Sequence, residues 1–176
     1  MPIRFMDQDD IEELGNAAFL RIEVDTVEPG FIGALLQINA RGEPVEFTYS
    51  RVVTPEAFLW RAGDLERSAL KKLCMSLMAA CSAIPTVLLC RASEVPVELF
   101  EDAIHLTIPV CRILDDATTG DTTAFDWRWQ RSTPSDASLE AQLVHELERR
   151  HLLLEPFERA SQGLREVFGD RVHGAE

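Results

Sequence analysis

The residues of this chain with chemistry to offer are four histidines, four cysteines and thirty carboxylates in 176 positions. His145 and His151 stand in HELERRH, which has the letters of a zinc-binding H-E-x-x-H pattern. That chemistry needs two imidazoles four residues apart on one helical face, and the spacing of six found here rotates by about 600° and turns the rings to opposite sides. Cys74, Cys81, Cys90 and Cys111 include no C-x-x-C pair and lie in apolar runs (LCMSLMAAC, TVLLC, IPVCRIL), the setting of small reduced core residues. No G-x-S-x-G elbow is present, and none of Cys74, Cys81 and Cys90 has an evident histidine beside it for nucleophilic catalysis. The nine glycines form neither phosphate-cradling pattern. DDATTGD, from Asp115 to Asp121, lacks the twelve-residue calcium pattern with its closing Glu and reads as a solvated turn. No cofactor and no metal are expected from these motifs.

Charge narrows the partners. Seventeen bases against thirty acids leave −13, so the general surface repels phosphate backbones and anionic lipids. Direct, free-standing binding of nucleic acid is therefore not expected. Only Lys71 and Lys72 are lysines, and the other fifteen cations are arginine. No apolar run approaches the ~20 residues that cross a bilayer, and residues 1–15 show neither a basic start nor an apolar h-region. The expectation is a cytoplasmic protein with no membrane contact, one domain with an appendage.

The elements that must position these residues follow from periodicity. Residues 1–16 form an acidic arm. In AFLRIEVDT, Phe19, Arg21, Glu23 and Asp25 alternate with Leu20, Ile22 and Val24, as in a strand. Phe31 to Ile38 is nearly all apolar, a strand covered on both faces. After the loop Asn39–Gly42, Val45, Phe47 and Tyr49 alternate in a third strand, completing an antiparallel meander. Leu65, Ala69, Leu70, Leu73, Leu77, Met78 and Cys81 then recur at helical spacing. This helix starts between Pro55 and Asp64, with Asp64 as candidate N-cap and Phe58, Leu59 and Trp60 in a separate turn before it. Thr86–Cys90 reads as a central strand, Ser93–Asp102 as a short helix, and His105–Leu114 as a strand that Pro109 pushes toward an edge or a bulge. Phe125, Trp127 and Trp129 give a last strand one aromatic face, which could stack bases but is expected to pack in the core or meet a protein. The polar linker Ser132–Ser138 precedes two helices, 136–150 and 155–168, expected to form a hairpin. The domain reading is an arm over 1–16, a core over 17–131, a linker over 132–138 and a helical hairpin with its tail over 139–176.

This α+β order, a three-stranded antiparallel meander, then α-β-α-β, then the C-terminal hairpin, resembles the ribonuclease H-like fold over about residues 17–150. The resemblance implies three or four carboxylates around two magnesium ions, an arrangement that clamps the attacking and leaving oxygens of a phosphoryl displacement. Carried over, it places Asp25 at the end of the first strand, Glu66 on the first long helix and Asp136 before the closing helix, with Asp115 or Asp116 as alternatives for the last. The remaining position departs from the pattern: TVLLCRASEVP offers Cys90, Arg91 and Ser93 where an aspartate belongs, with only Glu94 nearby. A degenerate core follows from that departure. The leading expectation is a non-catalytic adaptor in an intracellular, bacterial multiprotein assembly, docking a protein partner through Trp127, Trp129, Leu152, Leu153, Phe157 and Leu164. Its rival is a metal-dependent nuclease of ribonuclease H-like type using Asp25, Glu66 and Asp136 with Mg²⁺ or Mn²⁺. A third reading is an acidic surface that imitates DNA.

Overall fold

The computed structural model describes residues 11–115 and 125–172. Six strands form one sheet: β1 (Asn16–Val24), β2 (Gly30–Asn39), β3 (Pro44–Val53), β4 (Val87–Arg91), β5 (Val110–Asp115) and β6 (Phe125–Gln130). Their spatial order is β3-β2-β1-β4-β5-β6. The first three run antiparallel as a meander, β4 and β5 run parallel to β1, and β6 returns antiparallel along β5. Three helices cover the sheet: α1 (Asp64–Ala80), α2 (Leu139–Arg149) and α3 (Glu155–Phe168).

The strict alternation of β1 builds two cores. Ala18, Leu20 and Ile22 meet Leu70, Leu73, Cys74 and Leu77 of α1, while Ala17 and Phe19 meet Leu143, Leu147, Phe157 and Leu164 of α2 and α3. β2, buried on both sides, contributes to each, which is why its sequence is almost continuously apolar. α1 begins after Gly63, whose φ of 83° lies in the left-handed region, so Asp64 is the first helical residue and not the cap. Phe58 and Leu59 belong to a separate 3₁₀ turn, Ala57–Leu59, that Trp60 closes. The crossover from β4 to β5 winds into a five-residue π turn, Leu99–Ala103, where an ordinary short helix was expected.

Two expectations are corrected. β5, one strand in from the sheet edge, starts at Val110 and not at His105, because Pro109 stands just before the strand, where its carbonyl accepts the Leu88 N–H at 3.1 Å. The C-terminal helices are not a peripheral docking hairpin. Leu153, Phe157 and Leu164 are 0–1% exposed. Phe157 packs edge-to-face on Phe19 at 5.1 Å, and Gly163 comes so close to Phe47 that an added Cβ would stand 2.5 Å from its ring. An amphipathic pair that follows the last strand finds an entire sheet face uncovered, and closing that face buries its stripe. Leu152 packs partly buried on the same core. Trp127 and Trp129 do likewise, the former donating its indole N–H to Glu148 at 2.9 Å. Among the described residues no helix is long and apolar enough to cross a membrane. Residues 1–10 of the arm, Asp116 and Asp121 lie outside the described residues.

Candidate functional site

The parallel pairing of β1 with β4 sets the site. Register Leu20↔Cys90 brings Arg21 alongside Arg91 where the two strands end, with Glu23 two residues further on the same face of β1. The chain turns after β4, Glu94 N–H bonding back to the Arg91 carbonyl at 3.1 Å, and this returns the Glu94 carboxylate to the strand ends. Glu94 Oε1 accepts from Arg21 Nη1, and its Oε2 accepts the backbone N–H of Ile22 at 3.1 Å. Arg91 Nη1 stands 3.6 Å from Glu94, and Arg21 Nε donates to Glu23 at 3.3 Å. The four side chains are largely withdrawn from water, none more than 24% exposed. Burial pushes the Glu94 carboxyl above its usual range, and the Arg21 charge, the Ile22 amide and Arg91 only partly offset it. Beneath the same turn, buried Arg112 donates to the carbonyl of Val95 at 2.7 Å and to Gln130 at 3.4 Å, tying the crossover to β5.

Asp25 belongs to a different construction at the same edge. Its Oδ1 accepts the N–H groups of Val27 at 2.9 Å and Glu28 at 3.2 Å, closing the turn from β1 to β2. Its Oδ2 pairs with Arg171 at 3.2 Å and lies 3.6 Å from Arg51. Burial raises its pKa, but the two amides and Arg171 outweigh that and hold the carboxyl below its ordinary value. Glu66 points to solvent from the first turns of α1, and Asp136 is exposed before α2. The structure therefore does not gather Asp25, Glu66 and Asp136, since the carboxylate of Asp25 is engaged in fastening a turn to the C-terminal segment. Among the described residues, no group of three or more His, Cys, Asp or Glu stands together as a metal-holding set.

The residues that sequence reasoning left without a role are Phe58, Leu59 and Trp60, which are 80%, 76% and 40% exposed. β3 ends at Val53, opposite Gly30 of the β1–β2 hairpin, so this turn leaves the sheet at the edge where β1 and β4 end. It emerges two strands from β1, a lateral distance of about 10 Å. The clue was available: three large apolar residues in a row, outside any periodic face. The cysteines serve packing. Cys74, Cys90 and Cys111 are buried, with burial pushing the thiols of Cys74 and Cys90 up to about 12.

No family model matches the chain, and no curated protein matches it in sequence. Solved structures do. The endonuclease V of Streptomyces avermitilis superposes with a TM-score of 0.55 at 9% identity, covering 91% of this chain and 89% of that one. The fold is ribonuclease H-like. The endonuclease V of Bacillus subtilis matches 56% of this chain at 17% identity and a TM-score of 0.41, and this chain spans 43% of its length. LC11-RNase H1, solved in complex with an RNA/DNA hybrid, gives a TM-score of 0.33 at 10% identity over 84% of this chain and 91% of that one.

These neighbours correct two readings made from the sequence. The absence of a complete catalytic set pointed to a non-catalytic adaptor, whereas the fold matched over nine-tenths of the chain is that of an endonuclease. Net charge spoke against direct nucleic-acid binding, whereas the structure whose fold the chain shares over nine-tenths of its length carries the name of an endonuclease. A total charge does not report the local balance at one edge.

The resemblance to ribonuclease H-like proteins implies divalent metal at the strand ends, and the residues found there do not fit it. Glu23 and Glu94 supply two carboxylates, and both already carry the guanidinium of Arg21.

Proposed function

We propose that the chain acts on nucleic acid as a domain of nuclease type, receiving a strand along the sheet edge where β1 and β4 end. The observation that carries this reading is the match in fold, over nine-tenths of both chains, with a protein named endonuclease V. Fold alone does not assign function, so the edge itself must agree. Ligands of open sheets enter at the carboxyl ends of parallel strands, and the crevice of Arg21, Glu23, Arg91 and Glu94 lies there. Exposed Phe58 and Trp60 on that edge offer π faces to unstacked bases, which every base can use. The ion pairs there set Arg21, Arg51, Arg91 and Arg171 against Glu23, Asp25, Glu28 and Glu94, so these groups balance where the chain as a whole carries −13.

Fluorescence anisotropy with labelled single- and double-stranded DNA and RNA tests the reading. Binding is expected, and Phe58→Ala with Trp60→Ala weakens it about tenfold or more, since a stacked base contributes ~1–3 kcal/mol. No binding by any probe at low salt removes the proposal.

A further inference from the structure

The disagreement between a fold that implies metal and a crevice that already holds a cation has a specific cause. Arg21 sits on the central strand β1, and its one guanidinium serves both strand-end carboxylates, Nε on Glu23 at 3.3 Å and Nη1 on Glu94. Arg91 adds a second positive group 3.6 Å from Glu94. Among the described ion pairs, two carboxylates balance two guanidiniums without any metal ion. The remaining Glu94 oxygen is turned to the Ile22 N–H at 3.1 Å. A divalent cation prefers several open oxygen ligands at about 2.0–2.6 Å, and here it would have to enter beside a guanidinium that occupies the same oxygens.

We infer that Arg21 is the resident counter-cation of Glu23 and Glu94, that it keeps Mg²⁺ and Mn²⁺ out of the nucleic-acid-free protein, and that its removal opens a divalent-cation site on those two carboxylates. The inference concerns the same crevice as the proposed function but is read without nucleic acid, so the two fail separately. Its sign is unusual, because a single neutralising substitution is expected to create metal binding.

The experiment compares the full chain with Arg21→Ala, Arg21→Gln and the double variant Arg21→Ala/Glu94→Gln, using MnCl₂ alone as the probe. Isothermal titration reads binding, and melting is followed by circular dichroism in EDTA and in Mn²⁺. The unsubstituted chain is expected to bind no Mn²⁺ in the crevice and to melt at one temperature in both buffers. At Mn²⁺ tenfold above its Kd, Arg21→Ala melts about 3–6 °C higher than in EDTA, and the double variant loses that rise. Arg21→Gln keeps part of the stem and a donor toward Glu94, so it provides the same reading should Arg21→Ala fold poorly. Two results overturn the inference: Mn²⁺ binding by the unsubstituted chain that Glu94→Gln abolishes, or folded Arg21 variants that bind none.

Discussion

The C-terminal helices and the turn before α1 both display large apolar residues in the sequence, and the fold treats them in opposite ways. Leu153, Phe157 and Leu164 vanish into the core over β1 and β2, while Phe58 and Leu59 remain at 80% and 76% exposure. The difference lies in period. The stripe of α3 recurs at three and four residues, so one helix face can bury all of it against a sheet. Phe58, Leu59 and Trp60 are consecutive, and a 3₁₀ turn splays such residues around its axis, leaving no single surface able to cover them. A periodic stripe is therefore evidence of core even after a polar linker. An aperiodic apolar cluster left exposed on a turn has no such partner within the fold.

The contrast is broken or sharpened by substitution on each side. The largest expected effect is truncation after residue 138, which removes the helices that cover one sheet face and leaves an insoluble chain; a folded, monomeric fragment by gel filtration and circular dichroism counts against the shared core. Phe157→Ala comes next. It should cost about 3–5 kcal/mol in urea unfolding, because the ring is fully enclosed and edge-to-face with Phe19. Phe58→Ala should change stability by less than about 0.5 kcal/mol in the same assay, as expected of a surface side chain. An equal cost at Phe58 and Phe157 would erase the distinction between the two regions.

A smaller effect separates the two carboxylates of the strand-end edge. The folded-state pKa of Asp25 is depressed, so the stability it contributes is present above the unfolded value of 3.8 and is lost as pH falls through the lower folded value. The destabilisation caused by Asp25→Asn should then persist at neutral pH and fade only at strongly acid pH. Glu94 has the opposite sign. Its raised folded pKa makes the protonated form the stabilising one, fully present below the unfolded value of 4.5 and lost as pH rises through the folded value. Glu94→Gln should therefore gain on the unsubstituted chain as pH rises from 4 to 7. Urea midpoints from strongly acid pH up to neutral check both trends, and parallel pH profiles for the two variants would contradict the assigned environments.

Much of the fold was legible because each element carried its own period: alternation in β1 and β3, a doubly covered run in β2, and helical spacing in α1, α2 and α3. β5 was started too early, at His105, because Pro109 reads as a breaker whether it stands inside a strand or one residue before it. The site was less legible. Asp25 looked like a metal ligand by position alone, and only its turn amides and Arg171 show where its charge goes. Arg21 and Glu94 are 73 residues apart, so their pairing depends on the parallel register of β1 with β4, which no local pattern records.

Photo-crosslinking tests the central claim most directly. A single-stranded oligonucleotide carrying 4-thiothymidine, irradiated with the full chain and mapped by mass spectrometry, should crosslink to peptides containing Phe58 to Arg61 and to those containing Arg21 to Glu28 or Arg91 to Glu94. Crosslinks confined to the outer faces of α2 and α3, or none at oligonucleotide concentrations that saturate binding, would contradict a nucleic-acid edge at the ends of β1 and β4.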